Sequence, residues 1–219
     1  MMFKVAIVAA VAAATLAAAD TAPVQAWQVA GVEMSMKTPA GFCAPTGTGA
    51  GVAQMVAATD EASVTHLTMF QCGDADGSKP DYFMVKTPKA ALTVTTERAP
   101  FLDSIAAAMK TPTIQARIGT VTNEDVAKNF DKVFGDRPDI GGAIKPLGRD
   151  DVCVYLGGVM SYKTPLISYS RAVSGCITAV GGKVITITRY SDGVPANVVK
   201  HLATVRAMAL AVNAKAPKP

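Results

Sequence analysis

The stretch from Asp151 to Tyr190, DVCVYLGGVMSYKTPLISYSRAVSGCITAVGGKVITITRY, restricts the folds open to this chain more than any other. Its strand-forming runs are separated by turn residues, which predicts three antiparallel strands in a meander. Gly181-Gly182 between two apolar runs is the mark of a two-residue hairpin that needs positive φ. Centring on it sets Thr178 opposite Ile185 and Cys176 opposite Ile187. Pro165 cannot donate to a ladder and marks the other turn, within Tyr162–Leu166. With Thr164-Pro165 at the middle of that turn, Cys153 falls directly across from Cys176, where opposed Cβ atoms come within disulfide reach.

Both faces of the meander are apolar. Val152, Val154, Leu156, Met160, Val173, Ile177 and Val184 point one way, and Cys153, Tyr155, Val159, Ile185 and Ile187 the other. A sheet that is apolar on both sides needs cover on both, and helices are expected to supply it.

Residues 1–26 have the pattern of a secretory signal: Lys4 as basic n-region, an apolar run from Val5 to Ala19, and Val24-Gln25-Ala26 as a cleavage motif. The run is shorter than the roughly 20 residues a spanning helix needs. Residues 27–213 are then expected to form a single domain, with 214–219 as a frayed tail. The net charge of +4 is scattered, with no basic stripe or nucleic-acid motif, so nucleic acid is not an expected partner.

All four cysteines, Cys43, Cys72, Cys153 and Cys176, lie beyond the leader. Four cysteines allow three pairings, of which Cys43–Cys72 with Cys153–Cys176 is preferred. The chain-entropy relation gives about 3 to 4 kcal/mol for each such loop. There is no CxxC, and His66 and His201 lack ligand spacing, so neither a metal nor another cofactor is expected.

Gln28–Lys37 reads as a first strand, followed by a turn through Thr38-Pro39-Ala40-Gly41-Phe42-Cys43. Residues 46–51, TGTGAG, read as a small-residue loop without the Lys and helix start of a phosphate cradle. A hairpin is expected from Val52 to Cys72, turning at Asp60-Glu61, and Tyr82–Lys86 as an edge strand. Asp74-Ala75-Asp76-Gly77-Ser78 opens like a calcium loop, but Val85 stands where the twelfth-position Glu would be. Pro100–Lys110 has helical spacing and ends before Pro112. After a short Ile114–Ile118 segment, a further helix starts near Thr122 or Asn123, with Val126, Phe130, Val133 and Phe134 on one stripe, and stops at Gly135. Asp136–Gly148 reads as a long loop, and the space between it and residues 46–51 is the place to look for a site. Pro195 opens a long last helix with Val198, Leu202, Val205, Ala209 and Val212 as its apolar stripe.

This order of strands and helices is α+β: an antiparallel sheet ending in a three-strand meander, flanked by helices as an α/β/α sandwich. With the Thr38–Cys43 turn it resembles the PsbP/Mog1/DcrB-like group, and small exported alphaproteobacterial proteins that share a Pro-x-Gly-Phe-Cys turn. That resemblance implies a binding or assembly role rather than catalysis. Cys43 and Cys72 depart from PsbP proper and count against a photosystem role. No catalytic triad, metal cluster or cofactor fingerprint is present by motif. The expected function is therefore an exported, periplasmic, non-enzymatic module for a protein partner, an envelope component or a small apolar ligand. The alternative is a hydrolase assembled from His66, Asp74 or Asp76, and Ser161 or Ser174.

Overall fold

The computed structural model describes residues 22–74 and 76–215. The leader pattern as far as Thr21, and residues 216–219 of the expected tail, lie outside the described residues. The chain runs β1 (Val24–Val29), β2 (Val32–Lys37), β3 (Phe42–Cys43), α1 (Gly47–Thr59), β4 (Ser63–Gln71) and β5 (Tyr82–Pro88). It continues through α2 (Arg98–Ala108), α3 (Pro112–Phe134), β6 (Asp139–Arg149), β7 (Val154–Lys163), β8 (Ser168–Val180) and β9 (Lys183–Asp192). It closes with α4 (Pro195–Lys200), α5 (Leu202–Ala211) and β10 (Asn213–Lys215). A seven-stranded antiparallel sheet in the order β3-β4-β5-β9-β8-β7-β6 is the frame, and β1-β2-β10 form a separate small sheet.

The meander predicted from the sequence is β7-β8-β9. Gly181 and Gly182 have φ of +56° and +79°, and Val180 pairs with Lys183, Thr178 with Ile185 and Cys176 with Ile187. A side chain at Gly181 would also collide with Ala214 on β10, so the turn and the packing both require glycine. The other register is shifted: Lys163 pairs with Ser168 and Tyr155, not Cys153, stands opposite Cys176. The turn is wider than expected because Thr164 Oγ1 accepts the amides of Leu166 and Ile167. A shift of two residues preserves which face each side chain points to, so the expected faces hold from Val154 onward. Cys153 still reaches Cys176, with Cα atoms 5.2 Å apart, because Asp150 curls the preceding chain by accepting the amides of Val152 and Cys153. The second bridge joins Cys43 to Cys72.

Cover on the two faces differs from the all-helix expectation. One face packs Met69, Phe83, Val85, Ile185 and Ile187 against both the small sheet (Trp27, Val29, Met34, Met36) and α5 (Val205, Met208, Ala209). The expected single strand Gln28–Lys37 is instead divided between the two arms of a hairpin, β1 and β2, turned at Ala30-Gly31 with φ of +45° and +83°. An Ala at the first turn position hides the signal that Asn-Gly would have carried. β1 reaches back to Val24, ahead of the expected domain start. β10 occupies the first part of the expected tail, pairing Asn213 with Ser35, Ala214 with Met34 and Lys215 with Glu33. The last helix breaks at His201 into α4 and α5, and Leu202 is only half-buried whereas Val205 is sealed.

On the opposite face lie α1 and α3. Gly47–Thr59 is helical rather than a loop and a strand: Val52, Val56 and Thr59 recur at i, i+4 and i+7, and Ala53, Ala57 and Ala58 favour the helix. α3 is continuous from Pro112, where proline at the first turn initiates rather than breaks it. Gly135, at φ +68°, ends it as expected. The expected loop at Asp136–Gly148 is mostly strand β6, an edge strand that tolerates Pro146 beside a bulge. Conversely β5, expected at an edge, lies between β4 and β9. Among the described residues no helix is long and apolar enough to cross a membrane.

Candidate functional site

Between α1, α3 and the sheet lies a cavity of about 600 Å³. Its floor is the sheet face that alternates with the buried core: Thr68 and Phe70 from β4, Tyr82, Met84 and Lys86 from β5, and Tyr190 from β9. Tyr169, Arg171 and Val173 from β8, Met160 and Tyr162 from β7 and Ile144 from β6 complete it. Val52, Ala53, Val56 and Thr59 from α1 and Val126, Asn129 and Phe130 from α3 form the roof, with Leu166 and Ile167 of the β7–β8 turn at the rim. Residues 46–51 line none of it, whereas Asp136 and Ile144 do. The cavity therefore lies between α1 and β6, but its chemistry comes from the sheet.

Four of the chain's five tyrosines meet here. Tyr82 and Tyr190 stack with centroids 4.6 Å apart, and Tyr162 and Tyr169 with centroids 4.8 Å apart. These pairs follow from the register, in which Tyr82 stands opposite Tyr190 and Tyr162 opposite Tyr169. Burial pushes the hydroxyls of Tyr82, Tyr162 and Tyr169 above the usual phenol range, and neighbouring tyrosines push Tyr82 and Tyr162 further, so they remain neutral. Tyr162 donates to the Met160 sulfur, at 3.9 Å. Among the described residues the hydroxyls of Tyr82, Tyr169 and Tyr190 have no hydrogen-bond partner.

Three cations line the cavity against one carboxylate, Asp136. Lys86 is committed to Asp60 at 2.7 Å, while Lys79 is exposed at the mouth. Arg171 lies 4.5 Å from the Tyr169 ring centroid and donates to the Ser170 carbonyl, but it has no carboxylate partner among the described residues. A cavity of this size with apolar walls and a few uncommitted polar groups has the composition of a small-molecule site.

The residues considered for hydrolysis are not brought together. His66 bonds Thr87 Oγ1 at 2.9 Å and lies beside Trp27, on the sheet face away from the cavity. Thr87 donates to the Val184 carbonyl, so the His66 Nε2 must be the protonated nitrogen, and burial lowers its pKa. Ser174 is buried and donates to the Val198 carbonyl under α4. Ser161 is exposed on β7. Asp74 and Asp76 accept amide hydrogens of their own loop, from Ser78 and Lys79. Among the described residues no group of three or more His, Cys, Asp or Glu could hold a metal ion. His201 is buried between α4 and α5, its pKa lowered by burial and by Arg189.

No sequence motif marks the tyrosines as a site. Tyr162 and Tyr169 flank one turn, and that symmetry was available locally. Tyr82 joins only through pairing with a strand more than a hundred residues away.

The fold and the cavity define a two-disulfide α+β domain with a tyrosine-lined chamber on one side of its main sheet. No protein-family model and no curated protein matches the chain. Among solved structures it is similar to the solution structure of cyanobacterial PsbP (CyanoP) from Synechocystis sp. PCC 6803. Identity is 12%, with 93% of this chain and 99% of that chain covered and a TM-score of 0.39. A likeness of that size transfers no function.

Proposed function

We propose that this chain is an exported, non-enzymatic binding module that holds a small, largely apolar ligand in the chamber beneath α1 and α3. The observation that carries the reading is the chamber itself: about 600 Å³ lined by stacked tyrosines, Met84, Met160 and Val173. A chain with no purpose for that volume would gain by filling it, because lost packing is costly. Export follows from a signal within the first 26 residues, and two disulfides suit an oxidising compartment. Catalysis has less support, since His66 and Ser174 face away from the chamber.

The neutral dye N-phenyl-1-naphthylamine tests the reading. Its fluorescence should rise on binding the wild-type protein and fall back with Thr68→Trp, which projects an indole into the chamber. No rise with wild type, or an undiminished rise with Thr68→Trp, would remove the support for this function. A protein partner is the second reading, favoured by Leu166 and Ile167, 90% and 47% exposed beside the rim. A photo-crosslinker at position 166 that captures nothing from the native envelope would count against it.

A further inference from the structure

We infer that the chamber selects planar aromatic molecules carrying a carboxylate, with Arg171 as the group that holds the carboxylate. This rests on the binding function proposed above and names the ligand class. The charge argument begins with Arg171, on β8 at the chamber wall. Its guanidinium carbon lies 4.5 Å from the Tyr169 ring centroid, and among the described residues its side chain hydrogen-bonds the neighbouring Ser170 carbonyl. A guanidinium has five N–H donors, so donors remain for a ligand, and their fork matches a carboxylate in bidentate fashion. Lys86 is already neutralised by Asp60 at 2.7 Å and Lys79 is exposed at the mouth, so Arg171 is the cation within the chamber wall that has no carboxylate partner among the described residues. The opposing charge, Asp136, comes from the segment after α3 and makes no ion pair among the described residues.

The shape argument comes from the rings. Tyr82 with Tyr190, and Tyr162 with Tyr169, form two near-parallel stacks with interplanar angles of 12° and 14°. Such walls favour a flat π-system over a flexible alkyl chain, because aromatic pairs gain beyond area burial and a rigid ligand loses less entropy. The hydroxyls of Tyr82, Tyr169 and Tyr190, unpartnered within the described residues, can donate to further ligand oxygens. Apolar side chains, stacked aromatic rings and a planar cation with no carboxylate partner among the described residues together suit an aromatic acid.

Calorimetric titration with 2-naphthoate, 2-naphthamide and decanoate tests this. Wild type should bind 2-naphthoate about tenfold or more tightly than either of the others, the factor expected from a charge-assisted hydrogen bond. Arg171→Gln should bring 2-naphthoate down to the level of 2-naphthamide and leave 2-naphthamide unchanged. Arg171→Lys, which keeps the charge and loses the fork, should fall between, and it decides the matter if the Gln variant does not fold. Decanoate or 2-naphthamide binding as tightly as 2-naphthoate, or a 2-naphthoate affinity unmoved in the Arg171 variants, would overturn the selectivity and leave the binding function standing. If none of the three binds wild type, the inference and the function beneath it both fall.

Discussion

Removing the carboxylate of Asp81 should be among the most damaging single changes in the molecule. Arg189 on β9 donates from Nε to Asp81 Oδ1 at 2.8 Å and from Nη2 to Oδ2 at 2.6 Å, a two-point contact between a core strand and the loop before β5. The side chains are 14% and 17% exposed, so this is close to a buried pair. Arg189 also packs over Phe42 and Phe83 and reaches Thr204 on α5 at 3.5 Å. Asp81→Ala leaves the guanidinium desolvated and uncompensated. Coulomb attraction at an effective dielectric of 20 and about 4 Å is worth about 4 kcal/mol, and breaking buried pairs typically costs about 3 to 5 kcal/mol. Residual solvent access reduces this, so a loss of about 3 kcal/mol is expected. Urea unfolding with both disulfides intact measures it, and the midpoint should drop while the slope stays constant. The double variant Asp81→Leu/Arg189→Met, which removes both charges, should recover at least half of the loss. A loss below about 1 kcal/mol for Asp81→Ala would mean that the pair is solvated and that this account of the β5–β9 anchor is wrong.

Asp150 gives a pH dependence. Partial burial opposes its ionisation, but hydrogen bonds from Tyr155, from the amides of Cys153 and Val152 and from Arg206 win and hold its pKa at about 2, below the ordinary 3.8. Because the folded value is depressed, its stabilisation is complete above about pH 4 and lost as pH falls towards 2. The full difference is about 2 kcal/mol, and roughly 1 after screening of a side chain 32% exposed. Asp150→Asn should flatten that part of the stability profile. Under mild reductant Cys43–Cys72, exposed at both ends, should open before Cys153–Cys176, which is sealed; differential alkylation giving the reverse order would contradict this burial pattern. Val205→Asp should cost more than about 4 kcal/mol in a thermal melt, whereas Leu202→Asp, at a half-buried position, should cost under about 1.5. With the export proposed above, the intact mass of the mature chain should show an N-terminus ahead of Val24. The Pro23 carbonyl accepts the Thr38 amide at 2.9 Å, and Val24, Gln25 and Ala26 pair with Lys37, Met36 and Ser35. Ala17-Ala18-Ala19 offers the same small-residue pattern to the peptidase, and a mature chain starting at Trp27 would refute this.

Sequence signals that agree with the structure are local. Gly181-Gly182, Gly135 and the alternation along β8 and β9 act over a few residues, and turn chemistry and side-chain period report them directly. The structure departs from expectation where two local signals conflict. Glycines ahead of Val52 suggested a loop, although the valine spacing and alanines already favoured a helix. Gly141-Gly142 and Pro146 suggested a connection, because a sheet edge accepts residues that a central strand rejects.

The chain's own residues determined the meander, its two faces and the cysteine pairing, since a two-residue slip in register leaves face and bridge intact. Only the tertiary structure decided that Tyr82, Tyr162, Tyr169, Tyr190 and Arg171 share one chamber, and that β1, β2 and β10 cover the opposite side. Those arrangements depend on pairing between segments distant in the chain, such as β5 with β9 and β2 with β10. Burial of the whole surface selects such partners, and no short stretch encodes them by itself.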